Sequence, residues 1–283
     1  MEATIPKRII QIYCSPQGFS PELPLFNRCA LQNIRLLHPT YEHLVFDQAK
    51  MAEFLSSEPA EIRKTFDSFP HAIQRFDFFR YLALYRLGGF YFDFDVFLAR
   101  NLDPLLGFQC VFPFEELTIS EYLRTNHRMD WELANYAFAA APRHRFLEKV
   151  IESCIRGHKD PKWAERLMER IPQAFRYSFV APMTTGPGIV SRTFAENPDL
   201  HPAITILFPD DVCNQSTWQR FGDFGVHLMQ ASWRRKAGFL RSRLARLWEN
   251  RRRRKLHLES LRLGPVRKGN WKSVYPDTEA RCV

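Results

Sequence analysis

The apolar positions of this chain fall into short blocks that alternate between strand-like and helix-like spacing. Residues 5–13 (Ile5-Pro6-Lys7-Arg8-Ile9-Ile10-Gln11-Ile12-Tyr13) are β-branched and nearly continuous, which predicts a buried first strand opened by Pro6. Three prolines and a glycine between Ser15 and Pro24 predict a loop. Residues 25–38 fit a helix ending before Pro39, residues 41–47 a second strand, and residues 48–68 a helical stretch. Residues 72–87 read as a strongly apolar helix stopped by Gly88-Gly89, and residues 90–93 as a short buried strand. Further on, residues 110–114 and 203–208 predict strands, 142–156 a helix, 225–230 another strand, and 234–263 a basic helical stretch. There is no internal repeat. The alternation predicts an α/β domain with a largely parallel central sheet.

Length and composition narrow this little. A chain of 283 residues holds one large domain or two small ones. Hydrophobic content of 45% and charged content of 25% are ordinary, and exclude a disordered, collagen-like or coiled-coil chain. Charge distribution changes the picture. Residues 234–283 hold 16 Lys and Arg against 4 Asp and Glu, whereas the rest holds 24 against 27. The reading is therefore a slightly acidic body, residues 1–233, with a basic C-terminal extension, residues 234–283. A basic tail points to a phosphate-rich partner, nucleic acid or an anionic membrane. In the tail Leu240, Leu244, Leu247 and Trp248 fall on one helical stripe among arginines, which favours a membrane surface over nucleic acid. The alternative is a solvated helix packing that stripe on the body.

Six cysteines, at 14, 29, 110, 154, 213 and 282, lie too far apart for a zinc knuckle or a redox pair and point to a reducing compartment. The first residues carry no apolar signal segment, and no run of about 18 apolar residues occurs. The expectation is a cytoplasmic protein, peripheral on the inner face of a membrane.

Chemistry concentrates between Arg75 and Asp95. Asp93 and Asp95 form an Asp-x-Asp among Phe90, Tyr91, Phe92, Phe94, Val96 and Phe97. Carboxylates in such surroundings are costly to bury unless paired or metal-bound. In extended chain, residues i and i+2 face one side, so the two acids are expected to point together. A hard divalent cation, Mn²⁺ or Mg²⁺, relieves their repulsion; the alternative is a solvated acidic turn. Asp77 and Arg80, at i and i+3 on an otherwise apolar helix, share a face. They are either a structural ion pair or ligand groups for phosphate or sugar hydroxyls.

The composite Asp77-x-x-Arg80, Leu84-Tyr85, Gly88-Gly89, Tyr91-x-Asp93-x-Asp95 resembles glycosyltransferase family 32, the sugar-binding region with the Asp-x-Asp motif, whose core the clostridial glucosylating toxins share. The resemblance runs over roughly residues 5–233. It implies a GT-A-type nucleotide-binding fold and a metal-dependent transferase that uses a nucleotide sugar and retains anomeric configuration. By the same resemblance Asp93, Asp95 and His227 are expected to hold Mn²⁺ or Mg²⁺. Asp77 and Arg80 hold the sugar, and Tyr13 stacks on the base where relatives have Trp. Tyr91 and Asn135 line the donor pocket. His227-x(4)-Ser232-Trp233 closes over the diphosphate, with Asn214-x-Ser216-x-Trp218 as a second choice for that lid. Thr185-Gly186-Pro187 matches a family turn.

The expected partners are a nucleotide-sugar donor, UDP-sugar favoured over GDP-sugar, and a glycan, glycolipid or lipid-linked acceptor in polysaccharide or glycoconjugate synthesis. No nucleic acid is expected. Two other readings are a metal-dependent phosphohydrolase or phosphotransferase and a non-catalytic membrane-surface module. The first is disfavoured because no further carboxylate cluster is visible along the chain.

Overall fold

Strands and helices alternate along the chain much as the apolar blocks predict. The computed structural model describes residues 4–13, 23–209, 211–212, 214–229 and 244–255. Its strands are β1 (Arg8–Ile12), β2 (Glu42–Phe46), β3 (Gly89–Phe92), β4 (Val96–Leu98), β5 (Cys110–Leu117), β6 (Trp131–Leu133), β7 (Ala137–Ala140), β8 (Ile204–Leu207) and β9 (Gly225–His227). The helices that matter to the site are α1 (Leu25–Leu37), α2 (Gln48–Ser56), α3 (Ala60–Ser68), α4 (Ala72–Leu87), α5 (Glu121–His127) and α6 (Arg145–Lys159).

The main sheet has seven strands in the order β2-β1-β3-β7-β5-β6, with β8 also beside β5. β2, β1 and β3 are parallel, and β8 is parallel to β5. β7 runs against both β3 and β5, and β6 against β5. Five strands therefore share one direction, the mostly parallel α/β sheet expected. Alternation places Ile9, Phe90 and Phe92 with Ile34 of α1 on one face. Ile10 and Tyr91 go to the other face, with Phe78 and Phe79 of α4 and Phe146 of α6.

α4 positions the site. His71 and Gln74 cap its first turn reciprocally, and residues 77–84 are all buried. Gly88 (φ 66°) and Gly89 (φ 114°) then turn the chain sharply into β3. A Cβ on Gly88 would stand 2.6 Å from Pro142, and one on Gly89 2.5 Å from the Arg8 carbonyl oxygen. Only glycine supplies both the backbone and the space here.

Some expectations shift. The single helical stretch over 48–68 is two helices, because Pro59 disfavours helix at Glu58 and instead starts α3. The predicted strand over 90–93 stops at Phe92. The predicted helix over 142–156 begins three residues later, after a turn. β4, β6, β7 and α5 were not legible. β7 is Ala-Phe-Ala-Ala, poor in strand formers, and is fixed by pairing on both edges.

Residues 244–255 are helical, within the predicted basic stretch. The expected single apolar stripe divides. Trp248 packs against Phe175 and Phe179, with ring centroids 6.1 and 6.0 Å apart, and Ala245 is buried. Leu244 and Leu247 face outward, 51% and 58% exposed. Leu240 lies outside the described residues. Among the described residues no helix is long and apolar enough to cross a membrane.

Candidate active site

Asp93 leaves the end of β3, its N–H donating to the Tyr136 carbonyl (2.7 Å). The Val96 N–H donates back to the Asp93 carbonyl (3.1 Å), so Phe94 and Asp95 form a turn, not extended chain. The two acids converge through this turn instead of through strand alternation, a correction to the sequence expectation. The turn feeds β4, which pairs antiparallel with β9 and sets Val96 opposite His227. His227 Nε2 then lies 3.2 Å from Asp95 Oδ1. One ligand atom from each of Asp93, Asp95 and His227 falls within 4.8 Å of the others. Two carboxylates and an imidazole suit a divalent cation such as Mn²⁺. The electrostatics agree. Burial raises the Asp93 carboxyl pKa, Arg80 opposes this, and Asp95 raises it further, with a net upward shift. Burial would lower His227, but Asp95 and Asp93 overcome it and raise its pKa.

Behind the acid pair lies a buried frame. Asp77 Oδ1 accepts from Asn135 Nδ2 (3.0 Å) and from Arg80 Nη2 (3.0 Å), and Oδ2 accepts from Thr185 Oγ1 (3.0 Å). Arg80 Nη1 donates to the Asn135 carbonyl (2.7 Å) and reaches Asp93 Oδ1 (3.2 Å). The Tyr81 hydroxyl donates to the Thr185 carbonyl (2.7 Å). Burial pushes the Asp77 carboxyl up to about 6 against the pull of Arg80 and its hydrogen bonds. Asp93, Asp77 and the ring of Tyr91, 4.8 Å away, hold Arg80 charged. The expected sugar-holding pair is thus also the frame that aims Asp93. Tyr91 is 1% exposed, and its hydroxyl donates to Asp93 Oδ1 (2.6 Å), so it supports the acid from beneath.

A cleft of about 380 Å³ opens over these groups. Tyr13 lines it, its ring 5.0 Å from Phe94, along with Asp77, Arg80, Asp93, Asp95, Asn135 and His227. Ser232 and Trp233 lie outside the described residues. The second-choice lid, Trp218, is instead buried, its indole N–H donating to the Val212 carbonyl (3.0 Å) and its ring packed edge-on against Phe114. Gly186 is a packing position, since a Cβ there would stand 2.8 Å from Pro182 Cα.

A second part of the lining carries a carboxylate cluster, which corrects the expectation that none exists. Glu115 and Glu116 on β5, Glu132 on β6 and Glu249 of the 244–255 helix line the same cleft as Asp93. Arg253 forms ion pairs with Glu116 and Glu249. Glu116 and Glu132 are cross-strand partners, a like-charge pairing that costs stability unless neutralised. Burial pushes Glu132 up to about 7, against the hydrogen bond from Thr118 and the charge of Arg253. Sequence inspection missed this group because its members are spread from 115 to 253.

Residues 26–112 match the family model described as "Glycosyltransferase sugar-binding region containing DXD motif". The chain is 43% identical over 70 residues to inositol phosphoceramide mannosyltransferase 3 of Schizosaccharomyces pombe, covering 25% of this chain and 20% of that protein. It is 30% identical over 159 residues to mannosyl phosphorylinositol ceramide synthase SUR1 of Saccharomyces cerevisiae, covering 56% of this chain and 36% of that protein. The chain thus spans less than half the length of these curated relatives. Among solved structures it is similar to PaToxG glycosyltransferase, with a TM-score of 0.47 and 12% identity over 70% of this chain and 72% of that one.

Proposed function

We propose that this chain is a metal-dependent, retaining glycosyltransferase that moves a hexose, of mannosyl type, from a nucleotide sugar to a hydroxyl of a glycolipid or glycan. The observation that carries the reading is the convergence of Asp93, Asp95 and His227 over the Asp77–Arg80 frame, with Asp77, Arg80, Asp93 and Asp95 inside the stretch that matches the sugar-binding family. The names of the two yeast relatives favour a mannosyl donor and a ceramide-type lipid bearing an inositol phosphate head.

Asp93, Asp95 and His227 would hold the divalent metal. When bound, it supplies Lewis-acid neutralisation of the charge that develops on the leaving diphosphate. Tyr13 stacks on the base. Arg80, through its fixed donors, and Asp77 orient the sugar and so position the anomeric carbon. Asn135 keeps Asp77 in place. In the reaction the anomeric carbon–oxygen bond to the diphosphate breaks, its electron pair staying on the phosphate oxygen. A new bond forms to the acceptor oxygen, whose proton leaves.

Thermal unfolding with UDP or GDP, each with Mn²⁺ or with EDTA, tests the reading. Ligand at 100 times its Kd stabilises by about 2.7 kcal/mol. A shift that needs both nucleotide and metal supports the transferase and names the base. No shift with either nucleotide argues against a UDP- or GDP-sugar donor and moves the weight to a degenerate or non-nucleotide site.

A membrane contact is a second reading for the tail. It is favoured by the outward-facing Leu244 and Leu247 beside exposed Arg251 and Arg254. It would place the enzyme on the inner face of a membrane, near a lipid acceptor.

A further inference from the structure

His227 is held by more than its strand pairing. Residues 219–227 form a small hairpin closed by the Arg220–Val226 bridge and by the Phe221 N–H donating to the Gly225 carbonyl (2.9 Å). Gln219 and His227 stand at its two feet, and the His227 N–H donates to the Gln219 carbonyl (2.8 Å). Tyr136 anchors the hairpin from below. Its hydroxyl donates to the Arg220 carbonyl (3.0 Å), and its ring stacks on the His227 imidazole at 4.2 Å. Gln219 itself adopts φ 60°, a left-handed conformation that costs a non-glycine residue energy and collects at functional sites.

The Gln219 side chain makes two directed contacts. Its Nε2 donates to Glu115 Oε1 (3.3 Å), and its Oε1 lies 3.0 Å from His227 Nδ1. A carboxylate accepts only, so Glu115 fixes the amide with its oxygen facing the imidazole. That oxygen can accept only from a protonated Nδ1. The other nitrogen, Nε2, is the one beside Asp95 and the acid pair.

We propose that Gln219 is a positioning residue for metal binding. By holding the proton on His227 Nδ1 it fixes the tautomer that leaves Nε2 as a ligand atom, and Glu115 sets the orientation of the amide. The inference rests on the reading of Asp93, Asp95 and His227 as a metal site. Partners of this kind orient a ligating imidazole, and their loss costs about 10–100-fold in metal affinity.

The test is titration of the full chain with Mn²⁺ alone, following free Mn²⁺ by electron paramagnetic resonance. Gln219→Leu is expected to raise the Mn²⁺ Kd by about 10–100-fold. Gln219→Gly, which suits the positive φ but lacks the amide, is expected to lose the same affinity without a lower melting temperature. The exchange Gln219→Glu with Glu115→Gln restores an acceptor at Nδ1 and a donor facing it, and is expected to recover most of the affinity. Unchanged Kd in both single variants overturns the proposal. So does an unchanged Kd in His227→Ala when Asp93→Asn abolishes binding, an outcome that removes His227 from the ligand set but leaves a metal on the two aspartates. If the unaltered chain binds no Mn²⁺ with or without nucleotide, the metal reading itself fails and this inference with it.

Discussion

The wall built from α4, β3 and β9 and the wall built from β5, β6 and residues 244–255 line one cleft. Both are rich in carboxylates, but they neutralise them differently. On the first wall Asp93 and Asp95 keep 28% and 17% of their side-chain surface exposed and share His227 at their edge. On the second, Glu132 and Glu249 are buried and Arg253 already occupies the place of a cation, paired with Glu116 and Glu249. One wall leaves room for a cation to arrive, whereas the other carries its own. The difference teaches why a carboxylate cluster alone does not mark a metal site: the side chains that reach it decide.

The largest effects fall on the first wall. Asp95→Asn is expected to lower metal-dependent transfer by about 10²–10³-fold, on the scale of losing a preorganised electrostatic contact, with the melting temperature of the metal-free protein nearly unchanged. Asp93→Asn is expected to match that loss and also to lower the melting temperature. Asp93 receives Arg80 and the Tyr91 hydroxyl, whereas Asp95 contacts His227 at the edge. Kinetics and calorimetry on the two variants separate the roles, and equal melting temperatures would show that the frame does not depend on Asp93.

Arg253→Met is the matching experiment on the second wall. Removing one partner of a buried ion pair costs about 3–5 kcal/mol, because the other charge is left uncompensated. Since 17% of the Arg253 side chain remains exposed, the lower end, about 3 kcal/mol by urea unfolding, is expected. Adding Glu116→Gln to that variant is expected to recover part of it. A loss below about 0.5 kcal/mol, the level of an ordinary surface change, would show that the 244–255 helix does not depend on this pair.

The two walls were not equally legible in the sequence. Asp77, Arg80, Asp93 and Asp95 fall within one helix–turn–strand unit, so local spacing brought them together on paper as in the fold. His227 came only from the resemblance, because the β4–β9 pairing that places it joins segments about 130 residues apart. Glu115, Glu116, Glu132, Glu249 and Arg253 share no motif. What unites them is the antiparallel β5–β6 register and the return of a helix from the far end of the chain. Gln219 gave no signal either, since a single amide beside an unremarkable Trp-Gln-Arg carries no period or spacing. The helix boundaries followed Pro and Gly closely, and the one missed break, at Pro59, was itself a proline.

A smaller effect compares the walls by pH. Glu132 is pushed up to about 7 from an ordinary value of 4.5, and Asp77 up to about 6 from 3.8, burial being the leading cause for both. Each folded-state pKa lies above its unfolded value. Between the two values the native state therefore binds more protons than the unfolded state, and stability falls as pH rises. In the presence of EDTA the slope approaches about 1.4 kcal/mol per pH unit for each group inside its window. Glu132→Gln is expected to flatten the fall between about pH 5 and 7, and Asp77→Asn the fall between about pH 4 and 6. Urea unfolding across pH 4–8 reads both, and stability that rises over this range in the unaltered chain contradicts the burial of these acids.

The smallest effect probes where the second wall ends. Leu247 faces outward from the same helix whose Trp248 packs on Phe175 and Phe179. Leu247→Ser is expected to change folding stability by no more than about 0.5 kcal/mol. Together with Leu244→Ser it is expected to weaken sedimentation with anionic vesicles, because apolar burial and arginine attraction act jointly at a lipid surface. Trp248→Ser is the contrast: it should destabilise the helix on the body before it affects vesicles. If the leucine pair leaves vesicle binding unchanged while Trp248→Ser lowers the melting temperature, the helix serves as a wall of the cleft and not as a membrane contact.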